Sequence, residues 1–323
     1  MRQSAAEDIS FYDNHPEPAD FYSEVIEGLG RKRKIIPPKF FYDAEGSRLF
    51  DAICGLPEYY PTRTEMQILR DNAADIAGHV GEDCLLVEPG SGSSHKVRLL
   101  LDSIRPSAYM PMDISKDHLI GAAQRVSAEY PWLDVHATCA DFTEPLDLPY
   151  EPPQGHTVAF FPGSSIGNFE PERAVEFLAN IAAMVGKQGG LLIGVDLVMD
   201  HEILNAAYND SQGVTAAFNR NLLVRINREL GADFDVDSFD HHAFYNAQES
   251  RVEMHLVSEV DQVVCVNSHR FEFAGNETIH TENSYKYSIE AFQTCAREAG
   301  FSPINVWTDA QNLFSVHYLE VGK

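Results

Sequence analysis

The sequence has no apolar run of the roughly 18 residues that a membrane-spanning helix needs. Its best apolar stretch, residues 191–199, is interrupted by Asp196. The first ten residues carry two acidic side chains and no apolar core, which predicts that no secretory signal is present. Basic residues are also scarce, since 24 Lys and Arg stand against 49 Asp and Glu, a formal net charge of −25. Such an acidic chain repels phosphate backbones and anionic lipid, so we expect neither nucleic acid nor a membrane as partner.

Cysteine is equally sparse, and its pattern excludes two kinds of framework. The five cysteines are an odd number and contain no C-x-x-C pair, which argues against disulfides and zinc and for reduced thiols in the cytoplasm. His241, His242 and His255 lack partners at a metal-ligand spacing, so we expect no metal site. What remains is 323 residues, 44% hydrophobic and 23% charged, a balance typical of a globular enzyme of about two domains.

Between residues 84 and 196, short apolar runs alternate with helical patterns. The runs predict strands at 84–88, 108–112, 135–138, 156–161 and 190–195, and the intervening patterns predict helices at 96–103, 114–129 and 171–185. Continuous apolar runs bounded by glycine and acids are typical of strands buried on both faces of a parallel sheet. The sequence therefore predicts an α/β, doubly wound domain, completed by a helix at 289–299 and strands at 304–307 and 314–320.

Residues 197–286 interrupt this alternation. Alternating polar and apolar residues at 251–256 and 270–273 predict antiparallel strands. We therefore predict two domains. The doubly wound domain comprises residues 64–199 and 287–323, and a smaller α+β domain comprises residues 1–63 and 200–286.

A glycine loop, Glu-Pro-Gly-Ser-Gly at 88–92, follows the first strand of the series. Gly90 and Gly92 would let a ligand approach the backbone closely at the carboxyl end of that strand. The third glycine of a dinucleotide fingerprint is missing, and Lys96 does not follow a glycine as a phosphate-binding loop requires. The loop therefore suits a nucleoside better than a pyrophosphate, which disfavours a nicotinamide oxidoreductase.

Acidic side chains end the next two predicted strands. Asp113 lies about 20 residues after Gly92 and is placed to accept hydrogen bonds from both ribose hydroxyls. Asp141 can accept from an adenine amino group, with Phe142 packed on the ring. This set fits S-adenosylmethionine better than NAD. Lys96 stays ambiguous, since a lysine at a helix start is either solvated or paired with the carboxylate of the cofactor.

Longer blocks of the sequence resemble one family. Those that carry the resemblance are residues 41–50, 56–65, 88–96, 163–168, 213–221 and 281–284. From about residue 35 to the C-terminus, the chain resembles the histidine Nα-methyltransferases of ergothioneine biosynthesis, which form hercynine. The most specific blocks are Leu-Pro-Glu-Tyr-Tyr-Pro-Thr-Arg-Thr-Glu at 56–65 and Gly-Val-Thr-Ala-Ala-Phe-Asn-Arg-Asn at 213–221.

The resemblance implies a class I methyltransferase domain, a separate substrate domain, and three methyl transfers from S-adenosylmethionine to the α-amine of L-histidine. By motif position it implies cofactor contacts at Gly90, Lys96, Asp113, Asp141 and Phe142. It implies histidine contacts at Tyr59, Gly163, Asn168, Tyr208, Glu282 and Ser284. It also implies that Tyr42 and Phe50 lie near the amine, and we name Tyr42 and Tyr59 as the catalytic residues, which orient the amine lone pair.

The side-chain chemistry agrees with a histidine substrate. Glu282 can accept from one imidazole N–H while Ser284 bonds the other ring nitrogen, and Asn168 and Tyr208 offer neutral donors for the carboxylate. Two alternatives stay open: an N-methyltransferase of another α-amino acid such as tryptophan, whose indole cannot use both ring contacts, and a noncatalytic nucleoside-binding regulator. We expect a monomer in the cytoplasm.

Overall fold

The computed structural model describes residues 9–14, 21–151 and 155–322. The prediction that no secretory signal is present concerns the first ten residues, and residues 1–8 lie outside the described residues. The strands are β1 (Ser10–Asp13), β2 (Lys34–Ile35), β3 (Leu85–Pro89), β4 (Ala108–Asp113), β5 (Asp134–Cys139), β6 (Thr157–Phe161), β7 (Gly190–Asp196), β8 (Phe239–Asn246), β9 (Arg251–Ser258), β10 (Gln262–Val266), β11 (His269–Phe273), β12 (Thr278–Tyr285), β13 (Phe301–Thr308) and β14 (Phe314–Val321).

The helices confirm the predicted alternation. They are α1 (Phe21–Gly30), α2 (Ala44–Cys54), α3 (Tyr60–Asp71), α4 (Ala73–Val80), α5 (Arg98–Ile104), α6 (Lys116–Glu129), α7 (Pro171–Val185), α8 (His201–Tyr208), α9 (Val214–Leu230) and α10 (Ile289–Glu298). Short 3-10 turns occur at Pro38–Phe41, Ser165–Asn168 and Val236–Ser238. Helix α7 has the predicted bounds because Pro171 favours the first helical turn and Gly186, at a φ of +69°, ends the helix.

The main sheet has eight strands in the order β1-β5-β4-β3-β6-β7-β14-β13. The first six strands in this order, from β1 to β7, pair in parallel, whereas β14 is antiparallel to both β7 and β13. Strand β2 is not part of this sheet. Every residue of β3 and β7 is buried, as the continuous apolar runs predicted. This topology confirms the doubly wound α/β fold of a class I methyltransferase. From β3, the strands β4 and β5 follow toward one edge of the sheet, and β6 and β7 follow on the other side of β3. Strand β3 is therefore the topological switch point, and the glycine loop begins at its carboxyl end.

Strand β1 was not predicted. It is only four residues long and half-buried, so it has little apolar signal of its own, and it adds to the edge of the main sheet beside β5. The predicted division of the chain groups residues 1–63 with the smaller domain, but this strand pairs with the larger sheet.

A second sheet, in the order β2-β12-β9-β8, and the hairpin β10-β11 confirm the antiparallel strands predicted after residue 197. Their apolar side chains share one hydrophobic core with helices α1, α2, α8 and α9. In this core the rings of Phe41 and Phe218 stack with their centroids 4.5 Å apart. Strand β12 packs against the 3-10 turn Ser165–Asn168 of the main domain. The two sheets therefore meet where β6, β7 and β12 end. In the described part of the chain, the helices are all too short or too polar to cross a membrane.

Candidate active site

A pocket lies where the two sheets meet. Its lining includes the seven residues predicted to bind the substrate or act in catalysis, and Phe50. They are Tyr42, Tyr59, Gly163, Asn168, Tyr208, Glu282 and Ser284. These residues come from five separate parts of the chain, and the fold brings them all to one cavity. Their individual roles stay predictions.

Strand β12 supplies one wall of the pocket. Side chains alternate across a strand, so Glu282 and Ser284 share one face of β12. Both line the cavity, as does Lys286, which directly follows the end of the strand. The pairing of β12 with β9 shifts register between His280 and Glu282, an irregularity that changes which residues face the pocket. Glu282 lies across from the buried Met254 on β9. The bulge and the alternation together aim an acid and a hydroxyl into the same space.

Aromatic rings form a second wall. Tyr42 contacts Phe50 edge-on at 5.7 Å, Phe50 contacts Tyr59 at 6.5 Å, and Tyr59 contacts Tyr208 at 6.2 Å. Burial, followed by nearby ionisable groups, raises the pKa of Tyr59 well above its usual value. The Tyr59 phenol therefore keeps its proton near neutral pH and can donate a hydrogen bond. Aromatic faces around one space also favour a cationic group there.

The structure adds a buried ion pair that the sequence analysis did not identify. Lys286 Nζ lies 2.6 Å from Asp196 Oδ2, and both side chains are 1% exposed. Tyr60 donates to the other oxygen of Asp196 at 2.6 Å. Burial lowers the pKa of Lys286, but the Asp196 carboxylate and its other partners raise it by more. The net pKa therefore lies above the usual value of a lysine, and the side chain is charged. The two-residue spacing of Glu282, Ser284 and Lys286 is the signal that could have identified it.

Glu65 is the last residue of the motif at 56–65, and its side chain joins two loops. Its carboxylate accepts from Lys96 Nζ at 2.5 Å and from the backbone N–H of Gly163 at 2.9 and 3.0 Å. A Cβ at Gly194 would lie 1.9 Å from Glu65 Oε1, so only glycine on β7 leaves room for this buried acid. Lys96, predicted to bind the cofactor, is thus held between the glycine loop and the pocket.

The remaining predicted cofactor residues meet at the carboxyl ends of β3, β4 and β5. Gly90 has a φ of +66°, and a Cβ there would lie 3.1 Å from the Phe142 ring. Asp113 accepts from the backbone of Gly92 at 3.1 Å and of Ser115 at 2.9 Å, and burial raises its pKa. Asp141, just beyond β5, accepts from Thr143 at 2.6 and 2.9 Å. A cleft with an acid, a ring and a close-approach glycine fits a nucleoside cofactor such as S-adenosylmethionine.

Replacement of Asp113 by asparagine is expected to weaken binding of S-adenosylmethionine by roughly 10- to 100-fold. Asparagine keeps the shape but loses the charged acceptor, and hydrogen bonds to charged groups are worth about 1.5–3 kcal/mol. Isothermal titration calorimetry measures the change. Asp117→Asn, on the exposed side of α6, is the matched control and should bind normally. Equal affinity in the two variants would remove Asp113 from the cofactor site.

Replacement of Glu282 by glutamine is expected to stabilise the ligand-free protein at pH 8. Burial raises the pKa of Glu282 from 4.5 to about 7, although the Lys286 charge opposes this shift. Between these pKa values the folded protein binds more protons than the unfolded chain, so its stability falls as the pH rises, and the full cost applies above pH 7. Glutamine carries no such cost. We expect a gain of about 1–2 kcal/mol at pH 8, discounted because the side chain faces an open pocket.

Thermal unfolding of both proteins at pH 8 and pH 4.5, without ligand, tests this expectation. The variant should unfold at a higher temperature than the wild type at pH 8 only, because at pH 4.5 the carboxyl group is already neutral. A variant that is less stable than the wild type at pH 8 would contradict a costly charge at this position.

One further group of possible metal ligands lies on the second sheet. Among the residues that the structure describes, Glu253, His255 and His280 bring ligand atoms within 4.8 Å of one another. The two imidazole rings are stacked at 4.5 Å with an interplanar angle of 19°, so their in-plane lone pairs do not converge on one ion. Glu253 also accepts hydrogen bonds from Asn246 and Arg251 at 2.9 Å. This geometry is that of a packed polar cluster, and the expectation that the protein has no metal site stays a prediction.

Comparison with known proteins identifies the family of this chain. The family described as "Histidine-specific methyltransferase, SAM-dependent" matches residues 21–321. Histidine N-alpha-methyltransferase of Mycolicibacterium smegmatis is 44% identical over 299 residues, covering 91% of this chain and 92% of the relative. Its counterpart from Mycobacterium tuberculosis is 42% identical over 300 residues, with 91% and 92% covered.

A more distant relative bears on the alternative substrate. The 4-dimethylallyltryptophan N-methyltransferase of Claviceps purpurea is 25% identical over 334 residues, covering 93% of this chain and 94% of the relative.

The family match and the two bacterial relatives confirm the resemblance seen in the sequence, and with it a methyltransferase that depends on S-adenosylmethionine. The chain belongs to the histidine-specific, S-adenosylmethionine-dependent methyltransferases.

Proposed function

We propose that this enzyme transfers three methyl groups from S-adenosylmethionine to the α-amine of L-histidine, forming hercynine for ergothioneine biosynthesis. The observation that carries the proposal is the pairing of Glu282 and Ser284 on one face of β12, inside a pocket walled by aromatic rings. An acceptor and a hydroxyl two residues apart complement the two nitrogens of an imidazole.

The three polar groups of histidine each have partners in the pocket. Glu282 accepts from one ring N–H, and Ser284 bonds the other ring nitrogen. Asn168 and Tyr208 donate to the carboxylate, while the Lys286 charge close to them is neutralised by Asp196. A substrate without matching groups would leave these buried groups without partners, which is why we expect strong selectivity for histidine.

Methyl transfer to an amine is a direct displacement that needs a neutral nitrogen in line with the methyl group. S-adenosylmethionine, when bound, supplies an electrophilic methyl group. The phenols of Tyr42 and Tyr59 hydrogen-bond the amine or a water molecule and turn its lone pair toward the cleft of Gly90. Because an amine loses its proton to water near neutral pH, no strong base is required, and alignment is the main contribution of the protein.

Three successive transfers require room for a growing cation. The amine gains methyl groups and ends as a trimethylammonium, which aromatic faces attract. Tyr42 and Phe50 contact each other edge-on and line the same pocket. We therefore place the amine beside these rings, where hydrogen bonding gives way to cation–π contact as methyl groups accumulate.

One assay separates this proposal from its alternatives. The protein is incubated with S-adenosylmethionine and each of the twenty amino acids, and S-adenosylhomocysteine and product masses are followed. We expect gains of one, two and three methyl groups with histidine alone. Turnover of tryptophan instead would support the alternative substrate, and cofactor binding without turnover would indicate a regulator; either result would overturn the proposal.

The proposal extends to the organisation of the molecule. Residues 64–199 and 287–323 would hold the cofactor, and residues 1–63 and 200–286 would form the substrate domain, except that β1 pairs with the larger sheet. Both parts contribute to one pocket in a single chain. We therefore propose a monomer. Its five cysteines, without a C-x-x-C pair, support a reducing compartment, and we propose that it acts in the cytoplasm. Light scattering during gel filtration tests the monomer, and a dimer mass would overturn it.

A further inference from the structure

Lys286 is a buried cation at one wall of the pocket, and each of its three protons has an acceptor. Its Nζ lies 2.6 Å from Asp196 Oδ2, 2.7 Å from Ser284 Oγ and 3.2 Å from the Tyr208 hydroxyl. A lysine ammonium has three donors and no acceptor. Ser284 and Tyr208 therefore each accept one hydrogen bond from the same cation.

Because both hydroxyls accept from Lys286, their own protons are available for other hydrogen bonds. Each hydroxyl has one proton and two lone pairs. In the structure Tyr208 donates to Ser284 at 2.8 Å. If both protons turn toward a substrate, each oxygen still accepts from Lys286, so neither is left without a donor. The ammonium thus frees two neighbouring hydroxyl groups to donate to two different parts of one molecule.

The direction of these protons also sets the state of the ring. A ring nitrogen that accepts the Ser284 proton carries no proton of its own, so it belongs to a neutral imidazole. The Lys286 charge itself adds little repulsion, because Asp196 lies 2.6 Å away and compensates it. Glu282, which lines the same pocket, supplies the acceptor for a single ring N–H.

We propose that Lys286 is a positioning residue for the substrate: its ammonium directs the Ser284 proton to the acceptor nitrogen of a neutral imidazole and the Tyr208 proton to the carboxylate. The inference rests on the proposed function, since it names how the ring and carboxylate of histidine are distinguished. It assigns specificity to a residue that need not touch the substrate.

The first test removes the cation together with its counter-ion. Lys286→Met combined with Asp196→Asn leaves no buried charge without a partner, and the oxygen of the introduced amide can still accept from Tyr60. We expect KM for histidine to rise about tenfold or more, with kcat and S-adenosylhomocysteine affinity within about threefold of the wild type. The matched control replaces the ion pair of Lys34 and Glu277 in the same sheet by methionine and glutamine, and should keep the wild-type KM.

Substrate analogues then show whether the effect acts through Ser284. The analogues 4-thiazolylalanine and 5-thiazolylalanine each keep one acceptor nitrogen, at one or the other of the two ring positions, and no ring N–H, whereas thienylalanine has neither. We expect the wild type to prefer one thiazolyl isomer over thienylalanine by about tenfold, and both Ser284→Ala and the Lys286/Asp196 double variant to lose this preference. A folded double variant that keeps the preference would overturn the inference.

A measurement on the wild type needs no variant to fold. Histidine labelled with ¹⁵N in the ring is bound with S-adenosylhomocysteine and observed by NMR about one unit below the usual imidazole pKa of about 6.5. One protonated and one bare nitrogen are expected, and two protonated nitrogens would overturn the inference. If the wild type does not methylate histidine, the proposed function fails as well; activity on histidine with a protonated bound ring refutes only the role of Lys286.

Discussion

Replacing Glu282 with alanine is expected to raise KM for histidine roughly a hundredfold while cofactor affinity stays within about twofold. The variant leaves one imidazole N–H buried without an acceptor, and a lost hydrogen bond to a charged partner costs about 1.5–3 kcal/mol. Glu282 lines the pocket, whereas Asp113 and Asp141 are held by backbone groups of Gly92 and Thr143, so cofactor affinity should be little affected. Steady-state kinetics and calorimetry with S-adenosylhomocysteine measure the two quantities separately.

Two further variants make this expectation specific. Glu282→Gln keeps an oxygen that accepts from the ring, so it should lose only about tenfold in KM. Glu272→Ala, on an exposed position of β11, removes an acid of the same region and should change nothing. Comparable losses of histidine and cofactor affinity in Glu282→Ala would contradict the assignment of this residue to the imidazole.

Replacing Glu65 with alanine is expected to lower kcat/KM about a hundredfold and to weaken both ligands. The carboxylate is buried between Lys96 and the N–H of Gly163, so its loss removes a contact from the cofactor side and from the substrate side at once. Breaking a buried pair by removing one partner typically costs about 3–5 kcal/mol. In a chain of this size that corresponds to a fall of roughly 5–10 °C in unfolding temperature.

A glutamine at position 65 separates the effect of the Lys96 contact from that of the Gly163 contact. Glu65→Gln retains an oxygen for Gly163 but no charge for Lys96, so histidine affinity should largely recover while cofactor affinity stays low. Glu129→Gln, which removes the exposed partner of Arg98, is the control and should cost at most about 1 kcal/mol. If Glu65→Ala binds both ligands normally, the acid is a packing element only.

Much of the main domain could be predicted because its signals are local. Continuous apolar runs identified the parallel strands, and a proline marked the start of α7. Strand β1 was missed, because four half-buried residues become a strand only beside β5. The bulge before Glu282 also has no local signature, since it is a property of pairing between two strands.

The sequence by itself determined the fold class and favoured S-adenosylmethionine as the cofactor, because apolar runs, a glycine loop and acids at strand ends are local signals. Its resemblance to one family supplied the seven predicted residues that line the pocket. Only the tertiary structure decided how these residues are held. Glu65 meets Lys96 and Gly163, and Lys286 meets Asp196, across segments that are distant in the chain. A buried charge needs a partner wherever the fold can supply one, and no spacing along the chain reveals which residue that will be.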